Sequence, residues 1–542
     1  MMKYKRFSLL FLIFATSVGA CYAQESGKNT PMAQELRDKL NNGQAELSNY
    51  NTACYFALAG DQVLAFTYLK KAIYDDNFSD VKGVEKDTDL TSLHDDIRWK
   101  EVLKQVESNA LRKKKQNKAF YNQAGFWDSK ALKSPYQKNI STDEKVAGLS
   151  KFWSEAKYNF VNFDLVPELN FDSLYFAYLP KVKETKSTAA YFKVMTEFCA
   201  YLNDGHTNVN VPEELYDEFY GRPLIRTRLV EERVLIVGVF DPNAEKDGIK
   251  AGQEVIAVNG LPVKEYAARF VTPYQSASTP QDREVRAYEY GLLSGSVNEP
   301  IELQLRDEKG QIKKHTIVRL KPAARSAKMN TPPFEYKMLT GNIAFVSLNS
   351  FGTDSAAKAF AIHYPEISKA DAIIFDVRNN GGGNSSVGWE ILSYLVKKPE
   401  LIHSWYTRDY KPSYRPWGVN QEVYGTKSFL RPNGKFFYDK PVIVLTSART
   451  YSAAEDFAGA FKSLHRGLII GEASGGSSGQ PLMISLPGNG SARICTKRDM
   501  LANGDDFVGK GIWPDKLVKP TVLDFRKGVD TELAAAIKEL KK

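Results

Sequence analysis

At 542 residues, with 43% apolar and 25% charged residues, the chain has the make-up of folded globular protein. It is too long for one core, since about 150 residues per domain gives three or four. The net charge of +9 comes from 73 basic and 64 acidic residues, part of it at the N-terminus and in Arg112, Lys113, Lys114, Lys115 and Lys118. No aromatic ladder or nucleic-acid motif accompanies that run, so it reads as a solvated linker and no nucleic-acid partner is expected. Beyond residue 21, Cys54, Cys199 and Cys495 are odd in number and widely spread, which excludes a disulfide framework and a Cys-x-x-Cys zinc site and leaves buried free thiols.

Residues 1–23 read as an export signal: Lys3, Lys5 and Arg6 precede an apolar stretch, Phe7 to Phe14, too short to span a membrane. Val18-Gly19-Ala20-Cys21 looks like a lipobox that would leave Cys21 acylated and membrane-attached, while Cys21-Tyr22-Ala23 also fits a signal-peptidase site. Both readings place the protein outside the cytoplasm, periplasmic or in the cell envelope. Residues 34–110 alternate small and large apolar residues at helical spacing about Gly60-Asp61 and resemble a tetratricopeptide-type unit. A basic linker is expected over 111–139. Residues 140–221 are expected to be helical, opened by a Ser141/Glu144 capping box and ending at Asn203-Asp204-Gly205. Residues 222–322 switch to short β-branched runs, and Gly248 to Gly252 with Val258-Asn259-Gly260 resembles a PDZ domain carrying an insertion between about Lys264 and Asn298. No Gly-Leu-Gly-Phe carboxylate loop is present. Residues 335–523 alternate buried strands (IAFVSL, AIIFDV, PVIVLT, GLIIG) with helical stretches, and 524–542 form a last helix.

Three loop motifs fall where strands or helices end: Asp204-Gly205-His206-Thr207, Asp376 to Asn384 and Thr450 to Phe457. A serine at a strand-to-helix junction exposes its hydroxyl, and the amide after it lies at a helix N-terminus where donors are unpaired. Ser452 and Ala453 therefore have the makings of a nucleophile and half an oxyanion hole, and Gly382 can bring a second amide close. Each has a plainer reading as well: a helix N-cap, an ordinary turn, and for His206 a surface histidine.

Together these motifs resemble the tail-specific, C-terminal-processing serine peptidase family. The match covers about 141 to 523 and runs through Asp376-x-Arg378-x-Asn380-x-Gly382-Gly383, Ser452-Ala453-x-Glu455, Gly471-Glu472 and Gly511-Ile512-x-Pro514-Asp515. The resemblance implies a multidomain α/β protein with a crotonase-like (ClpP/crotonase-type) catalytic core, no metal or organic cofactor, and a protein or peptide substrate. In the better-known branch a lysine 25 residues after the nucleophile is the base; Ser477 stands there. The tricorn-like branch takes a histidine from before the PDZ region, and His206 matches it. That branch also places an orienting glutamate where this chain has Val508, so the acid is open, with Asp506 and Asp505 the nearest candidates and Asp204 a weaker one. The reading is thus a serine endopeptidase. Its alternatives are a catalytically inactive peptide-binding scaffold and an α/β-hydrolase-type esterase, the latter opposed by the lack of Gly-x-Ser-x-Gly around Ser452.

Overall fold

The computed structural model describes residues 34–35, 37–38, 47–116, 124–129, 132–329 and 331–542, so the export segment with Cys21 lies outside the described residues. The chain divides into two compact units, Met1–Trp127 and Asp128–Lys542. In the first, helices Asn49–Leu58 and Gln62–Tyr74 are N-capped by Ser48 and Asp61 and joined by a turn at Gly60 (φ +79°). They bury Ala53, Phe56 and Ala57 with Phe66, Leu69 and Ala72. A longer helix, Ile97–Gln116, runs further than the sequence reading allowed: Arg112 to Lys115 lie on it rather than in a linker. Long basic side chains have good helix propensity and suit the last turn, where they oppose the helix dipole.

The second unit begins with helix Thr142–Asn159, opened by the capping box in which Ser141 and Glu144 satisfy each other's amides. Helices Phe171–Glu184 and Thr188–Ala200 pack on it through Phe152, Phe171, Tyr178 and Phe198. After a left-handed residue at Asn203 (φ +47°) the chain reverses, presents His206 and enters strand Asn208–Asn210. That strand pairs antiparallel with Gly490–Cys495, Asn208 opposite Arg493, and so anchors the histidine loop to the far end of the sequence.

Residues 225–317 form an antiparallel sheet in the order Ile225–Val230, Arg233–Val239, Glu254–Val258, Ile301–Arg306, Ile312–Ile317, covered by helix Val263–Phe270. The insertion folds as helix Pro280–Glu284 continuing into a π-helical stretch, Val285–Gly291, beside the edge strand, where Thr227 Oγ1 donates to the Tyr288 carbonyl at 2.5 Å. The core is a six-stranded sheet in the order Lys516–Leu517, Leu468–Gly471, Val442–Thr446, Ala372–Asp376, Ile343–Leu348, Phe334–Leu339. All neighbours are parallel except the last pair. Helices Ser355–Ile367, Ser385–Leu392 and Ala453–Ser463 contribute to the apolar core on one face of this sheet; helix Thr531–Leu540 packs on the other through Ala536. Both faces are covered, which is why the four inner strands are almost wholly apolar while the edge strand Phe334–Leu339 carries Glu335 and Lys337.

Candidate active site

Strands Ala372–Asp376, Val442–Thr446 and Leu468–Gly471 end side by side, and the loops leaving their carboxyl ends build the site, the usual place for function in a parallel sheet. Ser452 precedes helix Ala453–Ser463 at φ +55°, ψ −126°, a conformation that a side-chain-bearing residue holds only when its surroundings enforce it. Three of those surroundings are visible. The Tyr451 amide donates to the Asn380 carbonyl at 3.0 Å, and the Ser452 amide donates to the Ser477 carbonyl and Glu455 Oε2, both at 3.1 Å. Gly382, at φ +97°, lies so close that a Cβ there would stand 2.6 Å from Ser452 Cβ and 3.0 Å from the Ala453 nitrogen. Only glycine fits.

Glu455 is fully buried and joins the two serine loops. Its Oε1 accepts from Ser474 Oγ (2.6 Å) and the Gly476 amide (2.7 Å), its Oε2 from the Ser477 amide (2.9 Å) and the Ser452 amide. Burial pushes its pKa up to about 8 while these donors pull it down. Every partner is a donor, so the arrangement is that of the carboxylate.

His206 is buried, with Nε2 3.0 Å from Ser452 Oγ and Nδ1 2.8 Å from Ser477 Oγ. The Tyr451 ring stacks on the imidazole (5.2 Å, 7° between planes) and its hydroxyl accepts from Arg286 Nη2 at 2.9 Å, while the Ser477 hydroxyl also bonds to Tyr451. Burial, and then the charges of Arg493 and Arg286, lower the His206 pKa to about 3, so at neutral pH the ring is uncharged. With Ser452 donating to Nε2, the proton on the ring sits at Nδ1 and is donated to Ser477.

The sequence-predicted residues fall unevenly around this centre. His206, Ser452, Ala453 and Gly382 come together. Among the described residues no hydrogen bond occupies the Ala453 amide, whereas the Gly382 amide donates to Asn380 Oδ1 at 2.9 Å. Asp505 and Asp506 do not reach the imidazole. Asp506 takes both arms of the buried Arg498 guanidinium (2.9 and 2.8 Å), and Asp505 is exposed, held within its turn by Asn503. A buried guanidinium between Asp506 and Asp164 is a stronger attractor for that carboxylate than a neutral ring. Asp204 accepts the His206 backbone amide (2.9 Å) and not its ring, and Val508 is buried in the apolar core. The Asp376-x-Arg378 motif is a brace: Arg378 is bidentate to Asp376 and to Asp530, the N-cap of the last helix.

Sequence reasoning missed Ser477 as the imidazole's partner, Tyr451 as its stacking face and Arg286 as its neighbour. Arg286 comes from the 264–298 insertion, whose Thr279 and Gln281 also bond the Gly475 and Ser474 carbonyls. No local signal marks an insertion as part of a site assembled so far away in sequence. Behind Ser477, Ser478 bridges Asp456 and Asp499 (2.9 and 3.0 Å), and Lys497 Nζ, 2.8 Å from Asp499, supplies the cation there.

Residues 342–518 match the model of peptidase family S41. The chain is 27% identical over 283 residues to a chloroplastic C-terminal processing peptidase of Tetradesmus obliquus, covering 52% of this chain and 55% of that one. It is 23% identical over 288 residues to a carboxyl-terminal-processing protease of a Synechocystis strain, covering 52% and 58%. The aligned region thus spans little more than half the length of these relatives. Among solved structures, mature CPAF complexed with lactacystin superposes with a TM-score of 0.59 at 14% identity, over 74% of this chain and 98% of that one, a likeness of fold. Motif order and the doubly covered parallel sheet agree with this match: the region that carries Asp376, Gly382 and Ser452 is the one that matches peptidase family S41.

Proposed function

We propose that the protein is a serine endopeptidase in which Ser452 attacks the peptide carbonyl and His206 is the general base. The observation that carries this is the pair of short contacts on one imidazole, Nε2 to Ser452 and Nδ1 to Ser477, beside an unoccupied helix-terminal amide at Ala453. His206 takes the Ser452 proton as the carbonyl is attacked and returns it to the leaving amine; water then repeats the cycle on the acyl-enzyme. The Ala453 amide is the first oxyanion donor, and Gly382 adds its own by sharing it with Asn380. A hydroxyl, Ser477, takes the place of the orienting carboxylate: it fixes the ring rotation and tautomer without adding a compensating charge. The imidazolium that forms transiently is countered by the oxyanion formed with it.

The relatives' names support a processing peptidase acting on polypeptide chains, and the basic-then-apolar N-terminus supports export. No described helix is long and apolar enough to cross a membrane. The antiparallel domain of residues 222–322 is read as PDZ-like, and residues 34–110 as a tetratricopeptide-like appendage. Labelling by a fluorophosphonate, with cleavage of an unfolded protein substrate, tests the proposal. Both are expected from the wild type and from neither Ser452→Ala nor His206→Ala; failure of the wild type to label would return the chain to the scaffold reading.

A further inference from the structure

The residue after Ser477 belongs to a buried cluster that the mechanism does not use. Asp456, Ser478, Asp499 and His403 are all buried, with Ser385 and Lys497 at the margin. Helix Ala453–Ser463 supplies Asp456, the loop after strand Leu468–Gly471 supplies Ser478, and helix Ser385–Leu392 supplies Ser385. His403 comes from strand Glu400–Asp409, and Lys497 and Asp499 from strand Lys497–Leu501. Ser478 Oγ stands between the two acids, 2.9 Å from Asp456 Oδ1 and 3.0 Å from Asp499 Oδ2.

A hydroxyl has one proton to donate, and an ionised carboxylate has none. With both acids ionised, one of the two contacts would set oxygen against oxygen with no hydrogen between them, in a buried place that penalises it. A second proton therefore belongs to one of the acids, and the surroundings decide which. Asp499 Oδ1 takes His403 Nε2 at 2.9 Å and Lys497 Nζ at 2.8 Å. Asp456 forms no ion pair among the described residues, and its Oδ2 accepts from Ser385 Oγ at 2.5 Å. Burial, and then the charge of Asp499, raise the Asp456 pKa. Asp499, against its own burial, is held low by the His403 bond and the Lys497 charge. Charging His403 does not resolve the contact, since a proton on Nδ1 would be buried with no acceptor among the described residues. The Cys495 thiol near Asp499, raised by burial well above its ordinary value, stays neutral. The bonds then run one way, from Asp456 Oδ1–H to Ser478 Oγ and from Ser478 Oγ–H to Asp499 Oδ2.

Asp456 lies in the first turn of the helix that begins after Ser452, and Ser478 follows Ser477. Their bond thus ties the nucleophile's helix to the loop whose hydroxyl meets the imidazole. Glu455 grips that loop by the Ser477 amide, and Asp456 grips it one residue further on. We propose that Asp456 carries a proton in the working enzyme and, by donating it to Ser478, is a positioning residue for the Ser477 hydroxyl on His206. The inference rests on the peptidase reading and adds to it a carboxyl group that has to stay protonated. When Asp456 ionises, two carboxylates compete for one hydroxyl proton, Ser478 is displaced, and Ser477 moves with it. The rate then falls on the alkaline side although the base itself is fully deprotonated.

The test compares Asp456→Ala, which removes the donor, with Asp456→Asn, whose amide donates as the acid does but cannot ionise. Values of kcat and KM are measured on a fluorogenic peptide from neutral to alkaline pH, with melting curves to confirm folding. Asp456→Ala is expected to lower kcat about tenfold with KM little changed. Asp456→Asn is expected to recover most of that loss and to lack the alkaline fall in kcat shown by the wild type. An unchanged kcat in Asp456→Ala, an Asn variant as damaged as the Ala variant, or the same alkaline fall in Asp456→Asn overturns the positioning role. A second measurement reads the proton without any turnover: the infrared difference between the full chain carrying Ser452→Ala and the same chain with Asp456 also replaced. The carbonyl stretch of a protonated carboxylic acid is expected in that difference at neutral pH, and a carboxylate band in its place overturns the proposal. Should one replacement fail to fold, the other gives the same difference band. Absence of any cleavage by the wild type counts against the peptidase reading instead, and the infrared band still decides whether Asp456 holds a proton.

Discussion

In the proposed mechanism Ser477 is the residue on which the orientation of the base turns, and its hydroxyl can be removed alone. In the resting site Nδ1–H of His206 donates to Ser477 Oγ across 2.8 Å, and among the described residues the ring has no carboxylate partner. Ser477→Ala leaves that proton without an acceptor in a buried place, and the bond lost is one that strengthens when the ring becomes charged. A hydrogen bond to a charged group contributes about 1.5–3 kcal/mol, and about 1.4 kcal/mol is a factor of ten in rate. The expected fall in kcat/KM is therefore about 10- to 100-fold, concentrated in kcat, because Ser477 touches the base and not the substrate. Tyr451 remains stacked on the ring in the variant and keeps its plane, which limits the loss. Ser477→Thr retains the hydroxyl and is expected to recover most of the rate. His206→Ala removes the base itself and costs more, upwards of about 10²-fold. Initial rates on a fluorogenic peptide, with melting curves to confirm folding, distinguish these outcomes. Wild-type kcat/KM in Ser477→Ala would refute the orienting role; a loss equal to that of His206→Ala would show that Ser477 does more than orient.

Ser452→Ala is expected to abolish fluorophosphonate labelling and proteolysis with little change in melting temperature. The His206 pKa of about 3 sets the pH dependence: the neutral base is present down to that value, so the acid limb of kcat/KM is expected well below the ordinary histidine range, and a limb at pH 6–7 would contradict it. The same depression means that the unfolded chain binds a proton there between about pH 6.5 and 3 while the folded one does not. Stability should fall with pH across that window, by roughly 2 kcal/mol at pH 5, and His206→Gln should flatten the dependence in denaturant titrations. Gly382→Ala would force its methyl against Ser452 and is expected to destroy activity; an active variant would show that the loop yields. Asp506→Ala is expected to keep near-normal rates and lose on the order of 1 kcal/mol of stability, since Arg498 retains Asp164; a hundredfold rate loss would restore Asp506 to the catalytic group.

Local patterning carried much of this structure. Apolar runs such as AIIFD and VIVLT mark strands covered on both faces, Ser141 with Glu144 marks a helix start, and Ser452 before an alanine-rich helix marks an exposed hydroxyl. The misses share a physical origin. Asp506 sits in the segment where a carboxylate was sought, but its partner was decided by Arg498 eight residues back and Asp164 far upstream, which a motif cannot register. Ser477 was noticed only as the residue that is not lysine, because a hydroxyl acquires a role from what faces it. The basic run at 112–115 looked like linker because charge patterning says little about whether a helix continues beneath it.

The contacts that define the base have a temporal consequence. His206 is 246 residues from Ser452 and 271 from Ser477 along the chain, and strand Asn208–Asn210 has no sheet partner until residues 490–495 have been made. Contacts of such separation close late, because the intervening chain must order before they are rewarded. A chain emerging from synthesis therefore carries His206 long before it carries Ser452, its proposed nucleophile, and a product truncated ahead of residue 477 has no hydroxyl to hold the ring. On the proposed mechanism, hydrolytic competence arrives with the completed fold, and the growing polypeptide is protected from that activity by the order in which its parts are written.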